Sequence, residues 1–310
     1  RIDLFPRDCD RRDLVDRGDG VAGTDVAGVH AVILEVFAAQ LARLYRAGEL
    51  TFIRIPTEAE ERVRDVVRCR ETFQREVLRS RHYILKFLAR RGFVYREGCN
   101  WRQAHYEWLR QLARADSPLA AEDRRVFGEY LGLLEYKLSR RDALDEQIEA
   151  LALTPALASA VATLQCFRGI QQQAAMVLAT EISDWQRFAS PRQLMAYLGL
   201  VPREHSSGDR ERRGSITKAG NTHCRHVLVQ AAWAYRFQPK IGVALKARQR
   251  GQSPVVIAHA WKAQHRLHTF YQRLAFRRRP QIAVVAVARE LVGFLWAVMR
   301  DVTPLATTTA

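Results

Sequence analysis

Two long stretches of this chain carry residues of one helix face at steps that alternate between three and four, which is the spacing of helices that pack lengthwise. The first stretch opens at Thr57 and Glu60, which have the spacing of a capping box, and continues through Val63, Val66, Arg70, Phe73, Val77, Ser80, Ile84 and Phe87. The second, about residues 121–152, presents Val126, Tyr130, Leu134, Leu138, Leu144, Ile148 and Leu151. The pattern predicts two long helices. They pack either antiparallel within one chain, with residues 113–123 near the turn, or against a second subunit.

Basic residues are concentrated in the C-terminal third. The chain has 49 Lys and Arg against 33 Asp and Glu, a formal net charge of +16. Residues 201–300 contain nineteen of these cations and only four acids. Such an excess indicates a polyanionic partner, with nucleic acid ahead of an anionic membrane. No membrane partner is expected, because the most apolar segment, residues 282–299, carries Arg289 and Glu290 in its middle.

The cysteines indicate the redox compartment. They are odd in number and show no C-x-x-C spacing: Cys9, Cys69, Cys99, Cys166 and Cys224. This usage argues against a zinc site and against a disulfide framework, and it predicts a cytoplasmic location. The histidines of the C-terminal third also lack metal-ligand spacing, so no metal is assigned to them.

The N-terminal part shows weaker secondary-structure patterns than the rest of the chain. Residues 1–25 are rich in Asp, Arg and Gly, which indicates a loosely ordered leader or part of a truncated domain. Apolar residues at helical spacing between Leu34 and Leu44 predict a helix ended by Gly48, and Leu50–Pro56 has the alternation of a short strand.

Pro155 separates the predicted long helices from a C-terminal helical unit. The turn at Gly169 resembles that of a helix-hairpin-helix element, although a plain helix start explains it equally well because Gln171 stands where a second glycine is expected. Ser190 and Pro191 predict an N-cap with proline in the first helical turn, and Gly199 predicts the end of that helix.

An eighteen-residue polar segment, "EHSSGDRERRGSITKAGN", follows this helix from Glu204 to Asn221. Its glycines allow a close approach of the backbone to a ligand, and its arginines supply positive charge suited to a phosphodiester. A solvated connection is the competing interpretation. A nucleophilic serine would need activation, and His205 and His223 are the nearby histidines.

Three segments in order resemble the C-terminal domain of insertion-sequence transposases of the IS110 family. They are "SPRQLMAYLGLVPREHSSG", "RRGSITKAGNTHCRHVLVQAAW" and "PQIAVVAVARELVGFLWAVMR". Upstream, residues 38–71, "AAQLARLYRAGELTFIRIPTEAEERVRDVVRCRE", resemble the join between that family's RuvC-like nuclease domain, which has an RNase-H-type α/β fold, and its helical spacer.

The resemblance implies DNA transposition at a composite site. Ser207, directly before Gly208, would be the nucleophile that forms a 5′-phosphoserine link, with Ser206 the less favoured neighbour. Mg²⁺ on four carboxylates of the nuclease domain would assist, a structured guide RNA would direct the reaction, and the protein would be a homo-oligomer. The basic residues expected to contact nucleic acid are Arg210, Arg212, Arg213, Lys218, Arg225, Arg277, Arg278 and Arg279.

The N-terminal part departs from the family pattern. Leu34 and Phe37 stand where two metal-binding aspartates are expected, and the "DRRD" of Asp10–Asp13 lies too far upstream to replace them. Residues 1–37 are also too few for the earlier strands of the nuclease sheet. We therefore expect the Mg²⁺ ligands to be unidentifiable in this chain, and the alternative function is a catalytically dead nucleic-acid-binding remnant.

The expected fold is mainly α. It comprises a remnant of the α/β RNase-H-like domain in residues 1–56, a helical spacer in 57–155, a basic C-terminal transposase domain in 156–302 and a tail in 303–310. Six aromatic residues of the basic third could stack on unpaired bases, but their helical spacing fits core positions better: Trp233, Tyr235, Phe237, Trp261, Phe270 and Tyr271.

Overall fold

The computed structural model describes residues 37–49, 54–204 and 213–301, and it divides into two compact units, Arg1–Ile55 and Pro56–Ala310. In the first unit, residues 37–46 form helix α1, and Gly48 follows with a φ of +69°, as the sequence predicts. Residues 54–56 are not in a strand, and residues 50–53 of the predicted strand lie outside the described part. The predicted RNase-H-like remnant falls mostly on residues 1–36, which are also outside it.

Two helices of equal length form the spacer. Helix α2 (Glu58–Ala89) and helix α4 (Ala121–Ala152) are antiparallel: Arg70 binds Asp145 near one end, and the Phe87 and Phe127 rings stack near the other. The capping box of Thr57 and Glu60 is present at the start of α2. Of the two arrangements that the sequence allows, the structure has the intramolecular hairpin.

A short helix that the sequence analysis missed covers the far end of this hairpin. Helix α3 (Gln103–Leu112) inserts Leu109 and Leu112 between α2 and α4. The buried face of α4 differs from the predicted one: Phe127 is fully buried, whereas Val126 is 45% exposed. The prediction that Val126 belongs to the seam is therefore wrong.

The remaining elements form a helical unit with one small hairpin of strands. They are α5 (Pro155–Gln165), α6 (Gln172–Ile182), α7 (Pro191–Tyr197), β1 (Pro202–Glu204), β2 (Arg213–Ile216), α8 (Thr222–Ala232), a 3₁₀ turn η1 (Trp233–Arg236), α9 (Val243–Gln249), α10 (Pro254–Ala275) and α11 (Pro280–Met299). The side chain of Ser190 caps α7, with Pro191 in the first turn, and Gly199 follows α7 with a φ of +65°, as predicted. Helical content confirms the mainly α class.

Helix α11 is central to this unit. By length and composition it is apolar enough to cross a membrane. In the structure it packs against α5, α7, α8 and α10 and contributes a row of buried side chains to the core: Ala283, Val284, Val287, Ala288, Leu291, Val292, Leu295, Val298 and Met299. Its apolar composition is therefore used in the protein core. The base of the spacer hairpin joins the same core through Val67 and Ile148.

The turn between α5 and α6 packs against protein. Gly169 has a φ of +86°, and a Cβ placed there would lie 2.4 Å from the carbonyl oxygen of Ala231 in α8. Arg168 Nη1 donates to the carbonyl oxygens of Phe237 and Gln238 at 3.3 and 2.7 Å. Gly169 is thus required by the close approach of α8. A role of this turn in DNA binding, as part of a helix-hairpin-helix element, stays a prediction.

Candidate functional site

The serine-containing segment connects two paired strands. Strands β1 and β2 are antiparallel, with Pro202 opposite Ile216 and Glu204 opposite Arg213. Residues 205–212, which contain Ser206, Ser207, Arg210 and Arg212, lie outside the described part, but both ends of this segment are held next to each other. We call residues 198–204 and 213–225, which flank it, the loop base.

Two glycines allow the chain to pack tightly in the loop base. Gly199 and Gly220 have φ values of +65° and +81°. A Cβ on Gly199 would lie 2.0 Å from Ala219 O, and one on Gly220 would lie 1.9 Å from Tyr197 O. Any side chain at either position would therefore force the backbone apart, so only glycine fits both the conformation and the space.

Backbone hydrogen bonds close the loop base across these glycines. The N–H of Lys218 donates to Gly199 O at 3.1 Å, and the N–H of Thr217 donates to Val201 O at 2.9 Å. Lys218 itself has a φ of +55°, which is uncommon for a residue with a side chain and shows how closely the surrounding contacts determine this backbone. Its side chain is exposed.

The predicted nucleic-acid ligand Arg225 holds the loop base together. Its Nη1 donates to Leu198 O at 2.9 Å and to Ala219 O at 3.3 Å, on the two sides of the segment. Its Nη2 donates to Thr222 Oγ1 at 3.2 Å. A positive charge is thus kept at the loop base, while contact of Arg225 with a phosphate stays a prediction.

A buried carboxylate joins the loop base to the spacer. Glu181, at the end of α6 and 3% exposed, accepts two hydrogen bonds from Arg68 of α2 at 2.6 and 2.9 Å. It also accepts one from Asn221 Nδ2 at 2.6 Å, and Asn221 is the N-cap of α8. Arg64 lies 3.9 Å away.

The ionisation of Glu181 follows from these contacts. Burial alone would raise its pKa, but the hydrogen bonds from Arg68 and Asn221 and the charges of Arg68 and Arg64 hold the pKa below its ordinary value. Glu181 is therefore an anion at neutral pH, and its charge fixes both the spacer helix and the residue that starts α8.

A histidine and a carboxylate form a second link between α2 and the loop base. His223 Nδ1 is hydrogen-bonded to Glu71 Oε2, and the His223 side chain is 33% exposed. Within the described ranges, His223 Nε2 has no hydrogen-bond partner. A histidine oriented by a carboxylate is the arrangement that a proton acceptor requires. Sequence analysis noted His223, but Glu71 lies 152 residues earlier, and no local pattern connects the two.

The other predicted nucleic-acid ligands are not all at the loop base. The backbone of Arg213 lies in β2, and its side chain is outside the described part. Arg277, Arg278 and Arg279 are exposed in the turn between α10 and α11, and no acid pairs with them in the described ranges. They form a separate basic group.

No group of three or more His, Cys, Asp or Glu side chains within the residues described is arranged to hold a metal ion. Asp10, Asp13 and Leu34 fall outside those residues, and Phe37 opens α1. The expectation that Mg²⁺ assists the reaction therefore stays a prediction, and the described residues contain no cluster of three such side chains that could hold the ion.

The loop base lies in the part of the chain that matches a known family. Residues 161–244 match the family model "Transposase IS116/IS110/IS902 family". This range contains Glu181, Asn221 and Arg225 as well as the serine segment, whereas Arg277–Arg279 fall beyond it.

Curated relatives extend the similarity over more of the chain. The putative transposase y4qE of Sinorhizobium fredii is 38% identical over 265 residues, which are 85% of this chain and 64% of the relative. The transposase for insertion sequence element IS1533 of Leptospira borgpetersenii is 28% identical over 78% of this chain and 70% of the relative. A probable family 20 transposase of Pseudomonas aeruginosa is 31% identical over 61% of this chain and 48% of the relative. The chain thus spans between about half and 70% of these relatives.

Proposed function

This chain is a member of the IS116/IS110/IS902 transposase family, and we propose that it is a DNA recombinase of an insertion sequence with Ser207 as its nucleophile. The observation that carries this proposal is the anchoring of the serine segment between two paired strands, in the region that matches the family. Several curated relatives are named as transposases of insertion sequences.

The contacts of the loop base suit a nucleophilic serine, because such a serine must meet the phosphate in a fixed geometry. Positioning of the reacting groups supplies much of the rate of such reactions. The two close-packed glycines, the backbone hydrogen bonds and Arg225 hold the ends of the serine segment, and Glu181 ties the same base to α2. Arg210 and Arg212 lie within the segment, where their charges would stabilise negative charge on the phosphate.

The proposed step is a transesterification at one DNA phosphodiester. Ser207 Oγ attacks the phosphorus and forms a new P–O bond, and the bond from phosphorus to the 3′-oxygen of the preceding nucleotide breaks. The serine proton passes to a base, and the departing 3′-oxygen takes up a proton to become a hydroxyl. The product is a 5′-phosphoserine link, so one phosphodiester replaces another without any outside energy source.

The proposed partners are DNA, a structured guide RNA and further copies of this chain. Mg²⁺ is expected for the family, but the described residues do not fit it because they offer no cluster of carboxylates.

A second candidate function is nucleic-acid binding without cleavage. It is favoured by Leu34 and Phe37, which stand where the family resemblance places metal-binding aspartates. A chain of this kind would keep the basic C-terminal surfaces and would form no covalent intermediate.

Covalent trapping separates the two functions. The purified chain is incubated with end-labelled insertion-sequence DNA, the structured RNA transcribed from the same element, and Mg²⁺, and adducts are counted after denaturing electrophoresis. We expect wild type and Ser206→Ala to form adducts and Ser207→Ala to form none. Adducts in Ser207→Ala would refute the assignment of the nucleophile. Binding by wild type without any adduct would establish the second function.

A further inference from the structure

The outer face of α10 carries a groove that lies apart from the loop base. Five of its side chains line the groove: His265, Arg266, Thr269, Phe270 and Arg273. The opposite face of α10 is buried in the core through Ala260, Ala263, Leu267 and Tyr271. The groove is therefore on the solvent side of a firmly packed helix, where a ligand would meet a fixed surface.

This face is strongly basic. Residues 254–279 contain no Asp or Glu, and Lys262, Arg266 and Arg273 are all exposed. The acid that reaches this face among the described residues is Glu290 of α11, which binds Arg266 at 2.8 Å. No acid of the described residues pairs with Lys262 or Arg273, so their positive charge favours a polyanionic ligand.

Large aromatic side chains are exposed on α10 and next to it. Trp261 is 38% exposed and its ring meets that of His265 with centroids 4.5 Å apart, while Phe276, directly after α10, is 90% exposed. Phe237 is 53% exposed, and its ring lies beneath the guanidinium of Arg236. The backbone carbonyl oxygen of Arg236 accepts a hydrogen bond from Gln272 of α10. These exposed rings therefore supply apolar surface next to the basic groove, where unpaired bases could stack.

The structure thus divides the six aromatic residues that the sequence analysis singled out. Tyr235 and Tyr271 are core residues, and Trp233 and Phe270 are partly buried against the core. Trp261 and Phe237 are exposed, and Phe276 joins them although its spacing carried no signal. The base-stacking hypothesis therefore applies to this smaller set.

From this combination we propose that the outer face of α10 binds an unpaired strand of nucleic acid, through stacking of its bases on the exposed rings of Trp261 and Phe276 and contact of its phosphates with Lys262 and Arg273. Aromatic rings within a basic groove suit a single strand, because unpaired bases present their faces, whereas the bases of a duplex are already stacked on each other. From residue 261 to residue 276 the helix extends about 22 Å, which is enough for several nucleotides.

This surface is separate from the proposed reaction site. The loop base ends in the first turn of α8, whereas α10 contacts η1, which follows the last turn of α8, through His268 Nδ1 and Tyr235 O at 3.1 Å. The inference rests on the proposed nucleic-acid function of the chain, but it does not depend on Ser207. A strand on α10 would leave the loop base open to DNA.

Equilibrium binding of labelled oligonucleotides of roughly 12 nucleotides tests the proposal. The full chain is titrated with an unpaired DNA strand, an RNA strand of the same sequence, and a DNA duplex. The test variant is Trp261→Ala/Phe276→Ala. Tyr136→Ala is the matched control, because Tyr136 is an aromatic residue of the spacer that is 60% exposed. Both changes are at the surface, so unfolding midpoints close to that of wild type are expected.

We expect the double variant to lose about tenfold or more in affinity for the unpaired DNA or RNA strand, and less than about twofold for the duplex. Tyr136→Ala and Ser207→Ala should bind like wild type. Unchanged single-strand affinity in the double variant, or an equal loss for the duplex, would overturn the proposal. Ser207→Ala also separates this result from the covalent chemistry, since loss of adducts with retained strand binding affects only the reaction site.

Discussion

The spacer and the C-terminal third contain equal numbers of cations and use them differently. Residues 57–155 have nineteen Lys and Arg with seventeen acids, and residues 201–300 have nineteen with four. In the spacer the charges pair between helices, as in Arg70–Asp145 at 2.7 Å and Lys137–Glu76 at 3.1 Å. In the C-terminal third the four acids are too few to pair with most of the nineteen cations. Cations of the spacer therefore contribute to its folding, whereas we expect the excess cations of the C-terminal third to bind an external polyanion.

The largest effect on stability is expected at Glu181, because this acid joins the spacer to the loop base. We expect Glu181→Gln to lower the free energy of unfolding by about 2–3 kcal/mol at neutral pH, since Arg68 and Asn221 lose a buried charged acceptor. Urea denaturation measures this loss, and Glu149→Gln, at an exposed position of α4, is the control.

The effect of Glu181 should also depend on pH in a definite direction. Its folded-state pKa is lowered, so the stabilisation is fully present above the ordinary carboxyl pKa of about 4.3 and is lost as the pH falls through the folded-state value. The difference between wild type and Glu181→Gln should therefore shrink in acid. A difference that stays constant down to pH about 3 would show that shape, and not charge, accounts for it.

The next largest effect is expected on nucleic-acid binding, from changes at Arg277, Arg278 and Arg279. Replacing all three by Gln should weaken nucleic-acid binding by about tenfold at physiological salt and reduce the slope of log affinity against log salt by about two, because each phosphate contact releases counterions. The unfolding midpoint should not change. Binding is measured by fluorescence anisotropy over a series of salt concentrations.

The control is a spacer variant of equal charge change, with Arg62, Arg79 and Arg125 replaced by Gln. These three side chains are also exposed. An equal loss of binding in this control would mean that total charge, and not its place in the molecule, determines affinity, and the contrast between the two regions would then fail.

The smallest effect is expected at a surface ion pair of the spacer. Arg110 of α3 and Glu135 of α4 lie 3.3 Å apart with side chains 58% and 45% exposed. Arg110→Gln should cost about 0.2–1 kcal/mol of unfolding free energy, because solvent screens the pair, and nucleic-acid affinity should stay at the wild-type value. A loss above about 2 kcal/mol would place this pair among the buried links such as Glu181–Arg68.

Much of the local structure was predictable, because its signals lie within a few residues of each other. Thr57 with Glu60 starts α2, Ser190 with Pro191 starts α7, and Gly48 and Gly199 end helices, all as the sequence indicates. The excess of cations after residue 200 is also a property of composition alone. These features together indicate a mainly helical chain, and the excess of cations predicts a polyanionic partner.

Tertiary packing decided the features that depend on residues distant in sequence. A repeat in steps of three and four cannot distinguish a hairpin from a subunit contact, and the choice rests on the pairing of α2 with α4. The same packing buries Phe127 instead of Val126. Likewise, Gly199 and Gly220 carry turn signals, but only the approach of two backbone segments explains why no side chain fits. The links from Arg68 to Glu181 and from Glu71 to His223 span more than a hundred residues, so they exist only once the spacer lies against the C-terminal helices.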